Sequence, residues 1–376
     1  MVSNVKVANH FFFLYTDWRK NDREFQMKKR IIGLDILRDI GVIFIFLYHF
    51  CIEYINLANG TDPIMPSVNY FANIWARPAS LFLFIISGYA LMYNHENEIP
   101  VKDYYLRRFK GLFIPFYIAY TMMFLAYFAV NNVAAGSTSP LYFFVFTILG
   151  VDAMVQEMTG GLGFYLIGEW FMSCIVICYV VFPLFAKLIK RFKYLVLAIL
   201  IAWSAFLLFG CNIFPIQVEH NPLFVLLYFY VGMLLYDLVG RKQISQNIRI
   251  ICTVISVVIF VFLLLAGYTA IFSVVLNQPF EIICAIWSIA MFIAIRDVDI
   301  NPEKKFYRVI TYISGISWNI ILVHHMIIIL LFKHYDISLY SRRETFTLSI
   351  LSFALTWVAA IVVRNLSRIV RNALYG

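Results

Sequence analysis

One stretch of the chain, Gly33-Leu-Asp-Ile-Leu-Arg-Asp-Ile-Gly-Val-Ile-Phe-Ile-Phe-Leu-Tyr-His-Phe-Cys-Ile-Glu-Tyr54, places five ionisable residues among apolar ones: Asp35, Arg38, Asp39, His49 and Glu53. At about 100° per residue in a helix they fall within roughly 100° of arc, leaving the rest of the surface almost wholly apolar. An ionisable group at mid-helix in a bilayer costs at least about 2.5 to 3.5 kcal/mol, so such a stripe is expected to line a cavity or a binding site. Arg38 and His49 are eleven residues apart, which puts them on the same face and about 16 Å apart along the axis. A guanidinium holds phosphates by forked hydrogen bonds, and a neutral imidazole accepts a proton. The spacing therefore predicts an anion-holding end and an acid-base end on one helix. A pantetheine arm is of that length, so a thioester whose nucleotide sits at Arg38 would reach His49. The alternative is structural: Asp35 lies one turn before Arg38 and Glu53 one turn after His49, where each could form an ion pair that steadies the helix.

The elements that must position these residues are membrane helices. Of 376 residues 62% are apolar and only 14% charged, and mean hydropathy is strongly positive, which excludes an ordinary soluble domain. Apolar runs long enough to span about 30 Å of hydrocarbon recur near 33–56, 71–93, 112–131, 163–186, 194–210, 222–239, 250–270, 280–295, 309–332 and 345–363. No period-two alternation suggests a barrel. The expected fold is all-α, a polytopic bundle of about ten transmembrane helices. Taking Lys28, Lys29 and Arg30 as cytoplasmic, the positive charges at Lys102 to Lys110, Lys187 to Lys193, Arg241 to Arg249 and Arg296 to Arg308 all fall inside. The loops 57–70, 131–162, 211–221 and 271–279 hold no Lys or Arg, so both termini are expected in the cytoplasm. Lys333, Arg342 and Arg343 run against this pattern.

The net charge of +9 thus reports topology and not a nucleic-acid partner. Leu141 to Val151 is apolar but too short to cross, and is expected to be a re-entrant or interfacial piece of an outer loop. Residues 1–27 read as an N-terminal extension, since Met27 is a second candidate start, and residues 28–376 as a single transmembrane domain. The six cysteines form no CxxC pair, and the histidines have no ligand spacing that asks for a metal. In this topology three more ionisable residues, Arg77, Glu169 and His324, reach the outer half of the bilayer, the depth of His49. His325 is expected to face elsewhere. Ser87 with Gly88 reads as a site of close helix approach.

These residues give the chain a resemblance to acyltransferase family 3, integral-membrane enzymes that O-acetylate bacterial surface polysaccharides. It covers nearly all of the chain from Met27 onward. The Arg-x10-His pattern from Arg38 to His49 carries it most specifically. Phe82-Leu-Phe-Ile-Ile-Ser-Gly-Tyr-Ala-Leu91 looks like the family's Ser-Gly segment. Tyr105-Leu-Arg-Arg-Phe-Lys-Gly-Leu-Phe-Ile-Pro-Phe-Tyr117 is similar to its Arg-x-x-Arg stretch, with Lys110 in place of the second Arg. Glu169-Trp-Phe-Met, followed by Tyr179 and Pro183, and Gly315-Ile-Ser-Trp-Asn-Ile-Ile-Leu-Val-His324 also agree, although Trp318 and Ile321 depart from the family's usual aromatics.

The resemblance implies a multi-pass cell-membrane enzyme that moves an acyl group from cytoplasmic acetyl-coenzyme A to a hydroxyl of a surface polysaccharide or lipid-linked glycan. His49 would be catalytic, and Arg38, Arg107 and Lys110 would bind the donor. His324 and Glu169 are further catalytic candidates, while Arg77 and Glu53 are candidates for the acceptor side. No permanently bound cofactor is implied. A transporter or flippase would use the same stripe as a proton relay or substrate path. A non-catalytic membrane scaffold is the third reading.

Overall fold

In lipid every backbone N–H and C=O must be bonded within the protein, so apolar runs of this length become helices. A computed structural model describes residues 30–57, 75–95, 100–210, 215–268, 279–334 and 341–375. Among them are α1 (Ile32–Leu57), α2 (Ala76–Asn94), α3 (Val101–Asn131), the short α4 (Phe144–Ile148) and α5 (Asp152–Met158), α6 (Glu169–Phe209), α7 (Pro222–Val239), α8 (Gln246–Tyr268), α9 (Pro279–Ile295), α10 (Lys305–His334) and α11 (Arg342–Tyr375). No strand occurs among the described residues. Six of these helices, α3, α6, α7, α8, α10 and α11, are long and apolar enough to cross a membrane. The expected extension at residues 1–27 and most of the loops 57–70 and 271–279 lie outside the described residues.

Burial sorts the helices. In α10, 67% of the most apolar window is buried, and in α7 61%, against 11% in α8. α1 packs along α10 and α2, and α2 packs closely along α7. That last pair depends on two glycines. A Cβ on Gly88 would strike the Phe229 carbonyl, and one on Gly232 the Ile85 carbonyl, so each helix lays its glycine on the other's backbone. Close helix approach, expected of Gly88, is what the residue provides.

Two helices differ from the sequence reading. Residues 187–193, expected as a loop, are helical, and the chain turns at Phe192, whose φ of −126° and ψ of 26° leave the helical region. At 1.5 Å per residue, 41 residues would extend about 60 Å if straight, twice the hydrocarbon thickness. α6 is therefore two arms joined at a bend, and Lys187, Lys190 and Arg191 ride on helix. Its first arm begins at Glu169 and not at 163. α3 begins at Val101, eleven residues ahead of the apolar run, because Tyr104 and Tyr105 bond the Tyr179 and Val180 carbonyls of α6 and hold this polar stretch helical. Leu141 to Val151 forms a 3-10 turn and α4, with Leu141 and Tyr142 strongly exposed, as suits a short apolar segment that does not cross.

Arg296, read as one of the topology-setting charges, is only 3% exposed. Its guanidinium donates to the Gly240 and Lys242 carbonyls at 2.7 Å each and to the Tyr89 hydroxyl at 3.0 Å, and it pairs with Asp297. It clamps the end of α9 to the end of α7 and to α2. Lys333 donates to the Asn131 side chain at the end of α3.

Candidate functional site

The stripe on α1 faces protein along its whole length. α10 runs beside it in the same sense. At one end Ser314 accepts from Arg38 at 2.7 Å and donates to Asp35 at 2.6 Å; at the other, His325 Nε2 meets Glu53 Oε1 at 2.9 Å. Between them the His49 ring lies 4.9 Å from that of His324 and 4.2 Å from that of His325, centroid to centroid. The expected Glu53–His49 pair is not what forms: Glu53 is engaged by His325.

Glu169 completes the cluster from α6. Its Oε1 is bonded by His325 Nδ1 and its Oε2 accepts from the Tyr165 hydroxyl at 2.8 Å. Glu169 opens α6 with φ +50°, a left-handed conformation that costs a residue with a Cβ about 1 to 2 kcal/mol, after Gly168 at φ +87°. Such outliers persist only where the surroundings over-determine them, and they gather at functional sites. A carboxylate in the first turn of a helix also gains from the unpaired N–H groups there. The sharp entry turns the side chain into the bundle.

Two buried ring nitrogens in the cluster have no protein partner. His324 is fully buried. Its Nδ1 is held by the Ile320 and Ile321 carbonyls at 3.1 and 2.9 Å, so Nδ1 carries the proton and Nε2 bears the lone pair. That Nε2 is buried without a hydrogen bond, as is His49 Nδ1. His49, Glu169 and His325 each bring a ligand atom within 4.8 Å of the others. A metal ion there would have to replace the hydrogen bond between His325 and Glu169, while Glu53 would keep its place on the other ring nitrogen.

The Arg38 end borders a cavity of about 340 Å³. Arg38, Arg107 and Arg108 line it, with Ser87, Asn94, Tyr179 and Trp318. Ser87 and Tyr179 share a hydrogen bond of 3.0 Å. Arg108 lies over the rings of Tyr104 and Tyr179, at 5.9 and 5.7 Å, and its Nε is buried without a partner. Lys110 points elsewhere, with Nζ 3.4 Å from the Tyr375 ring centroid. The lining runs along α10 through Ser317 and Trp318 to Ile321 and along α6 from Tyr179 to Phe171. Ile321 lies three residues before His324 and Phe171 two after Glu169, which is about 3 to 5 Å of helix axis. The cavity thus covers most of the distance from Arg38 to the histidines and ends about one turn short.

Of the residues singled out from sequence, His49, Glu53, Glu169 and His324 come together, and Arg38 and Arg107 share the cavity. Arg77 joins neither set of hydrogen bonds and is paired with Glu219 at 2.7 Å and Glu281 at 2.8 Å, with its Nη1 buried and unpartnered. His325 is the addition, and Arg108, which belongs to the same basic stretch as Arg107 and Lys110, lies in the cavity wall with Arg107. Two glutamates at the His49 end asked for a second basic partner besides His49, and the 100° step from Arg107 to Arg108 and on to Gly111, all three in the cavity wall, could have marked Arg108.

No curated protein and no solved structure matches the chain. The sequence model of a family described as an acyltransferase domain matches residues 31–364, which takes in every residue of the cavity and of the histidine cluster. The chain is a membrane acyltransferase and belongs to acyltransferase family 3.

Proposed function

We propose that the protein transfers an acetyl group from cytoplasmic acetyl-coenzyme A to a hydroxyl of a surface polysaccharide or lipid-linked glycan at the cell membrane. The observation that carries this reading is the two-ended site. An arginine-lined cavity opens beside Arg38, and a histidine–glutamate cluster lies about 16 Å further along the same helix. Arg38, Arg107 and Arg108 hold the donor's phosphates, and Lys110, expected to join them, lies on the Tyr375 ring instead. The pantetheine arm lies along the cavity between Tyr179 and Ile321. His49 takes the acceptor's proton, with His324 beside it as the second base. Glu169, both of whose oxygens already accept hydrogen bonds, supplies negative charge to the histidines and not a free base. Arg77, through its spare Nη1, and Glu53 border the side from which the acceptor enters.

In this reading residues 28–376 are one domain that crosses the bilayer ten times with both termini in the cytoplasm. The two arms of α6 count separately, and α1, α2 and α9 join the six helices already long and apolar enough to cross. No metal and no permanently bound cofactor take part.

Purified protein is given radiolabelled acetyl-coenzyme A and isolated glycan. Label appears in the glycan with the wild type and is lost with His49→Ala. Uptake of glycan or solute without label transfer would instead favour a transporter, and unchanged cellular glycan acetylation in both His49→Ala and Arg38→Ala a scaffold.

A further inference from the structure

His325 differs from its two neighbours in the cluster. Both of its ring nitrogens face carboxylate oxygens, Nδ1 that of Glu169 and Nε2 that of Glu53. A nitrogen lone pair and a carboxylate oxygen at that separation repel unless a proton lies between them, so the two contacts require two protons. Either both sit on the ring, giving an imidazolium between two carboxylates, or one sits on a glutamate. The unit Glu53–His325–Glu169 carries a net charge of −1 in both arrangements. His49 and His324 each keep a ring nitrogen with no partner, whereas His325 has none to offer. It cannot take a substrate proton without breaking a carboxylate bond.

We infer that His325 is a positioning residue for acyl transfer: it clamps Glu53 of α1 to Glu169 of α6 and so holds one fixed negative charge against His49. The inference rests on the acyltransferase reading of this cluster. As the acceptor oxygen bonds to the acyl carbon, its proton passes to His49. The thioester C–S bond breaks, and the proton on His49 leaves with the thiol. Between those moments His49 is a cation in a buried site. A net −1 at ring-contact distance, fixed before the reaction, favours that cation more than the neutral ring and needs no rearrangement when the charge appears. The groups that face His49 are Tyr48 on its own helix, Glu169 on α6, His324 and His325 on α10, and His220 from the 3-10 turn at Val218–His220, and Glu53 joins them through its bond to His325. The only carboxylates among these groups are Glu53 and Glu169, and both are bonded to His325.

The test is kcat and KM across pH for His325→Ala, His325→Gln, Glu53→Gln and the double variant Glu53→Gln/His325→Ala, alongside His49→Ala, with thermal unfolding in detergent for each. His325→Ala is expected to lower kcat about a hundredfold, the order of loss that follows when a catalytic group drifts by 1 Å, with KM for either substrate changed less than about twofold. His325→Gln, which keeps one N–H toward a carboxylate, is expected to recover about tenfold of that loss. With His325 an imidazolium, Glu53→Gln takes the clamp from −1 to 0 and moves the acid limb of kcat to lower pH by about one unit or more. The double variant is expected to be no slower than His325→Ala, because the two residues act as one unit. An unchanged kcat and pH profile in His325→Ala would overturn the inference. So would multiplicative effects in the double variant, or a stoichiometric metal in the wild type that His325→Ala loses. If His325→Ala fails to fold, His325→Gln and Glu53→Gln decide by the same criteria. Retained transfer in His49→Ala would sink the acyltransferase reading itself, whatever His325 does.

Discussion

The donor end can be dissected by charge, because the structure separates three neighbouring cations that the sequence presents as one cluster. Arg107 and Arg108 line the cavity with Arg38, while Lys110 lies on the Tyr375 ring. Neutralising one cavity arginine, Arg107→Gln or Arg108→Gln, removes a charge-assisted hydrogen bond to a donor phosphate, worth about 1.5 to 3 kcal/mol. At about 1.4 kcal/mol per decade, that is a roughly 10- to 150-fold rise in KM for acetyl-coenzyme A. The phosphates lie far from the reacting carbonyl and are held equally in ground and transition states, so kcat should stay within about twofold. Lys110→Gln removes a cation–π contact of about 0.5 to 1 kcal/mol between α3 and α11, which bears on stability and leaves KM within about twofold. The assay is initial-rate kinetics in detergent or liposomes at two ionic strengths. KM of the wild type should rise with salt more steeply than KM of the arginine variants. A Lys110→Gln variant with the same rise in KM as Arg107→Gln would refute the assignment of the donor to this cavity, as would an Arg108→Gln variant that loses kcat and keeps KM.

Glu169→Gly relieves the left-handed backbone at φ +50° while deleting the carboxylate. Unfolding in detergent should show the helix start tolerated, with transfer falling at least about a hundredfold; retained activity would mean the carboxylate is structural. Gly88→Ala drives a methyl into the Phe229 carbonyl and should cost about 1 to 3 kcal/mol of stability, read as a lower unfolding temperature. Arg296→Lys cannot serve two carbonyls, a hydroxyl and Asp297 at once, so a loss of roughly 3 kcal/mol is expected by the same measurement. Asp152, in the connection between α3 and α6 and outside the spans, is buried, and that burial pushes its carboxyl up to about 6 from 3.8. Its folded-state pKa is raised, so its contribution is complete below pH 3.8 and is lost as pH rises through about 6. Asp152→Asn should therefore unfold at higher temperature than the wild type above pH 6, by up to about 3 kcal/mol, with the gap closing toward pH 4.

How far the sequence was legible follows from what each residue costs when misplaced. Arg38, His49 and Glu53 stood out because ionisable groups in an apolar helix are expensive, and one period fixes their common face. The helices followed for a similar reason, since lipid admits few alternatives. Residues 187–193 misled because lysines and an arginine between two apolar runs look the same on a loop and on a bend, and only the backbone at Phe192 tells them apart. His325 was set aside because 100° separates it from His324, yet α10 is buried on most sides. His324 folds its ring back onto its own helix carbonyls, and His325 reaches across to two others. Which of two adjacent residues meets which partner depends on the rotation of α10 against α1 and α6, and no periodicity within α10 carries that information.

A purely structural role for the stripe predicts that every buried polar atom in it is satisfied, because each orphan costs about 1 to 3 kcal/mol. Much of the stripe does meet that standard. Asp35, Arg38 and Ser314 form a closed chain of hydrogen bonds, and Glu53, His325, Glu169 and Tyr165 form another. Buried polar atoms without a hydrogen bond occur elsewhere in the bundle too, at Trp203, Ser204, Arg249 and Thr356 among the described residues, but three lie at the two ends of the site. Arg108 Nε borders the cavity, and His49 Nδ1 and His324 Nε2 lie in the cluster at its far end. One is a donor suited to an anion, and two are ring nitrogens suited to exchanging a proton. A scaffold gains nothing from leaving those three unpaired. An enzyme that brings its own partner to each of them, a phosphate at one end and a hydroxyl at the other, needs them so.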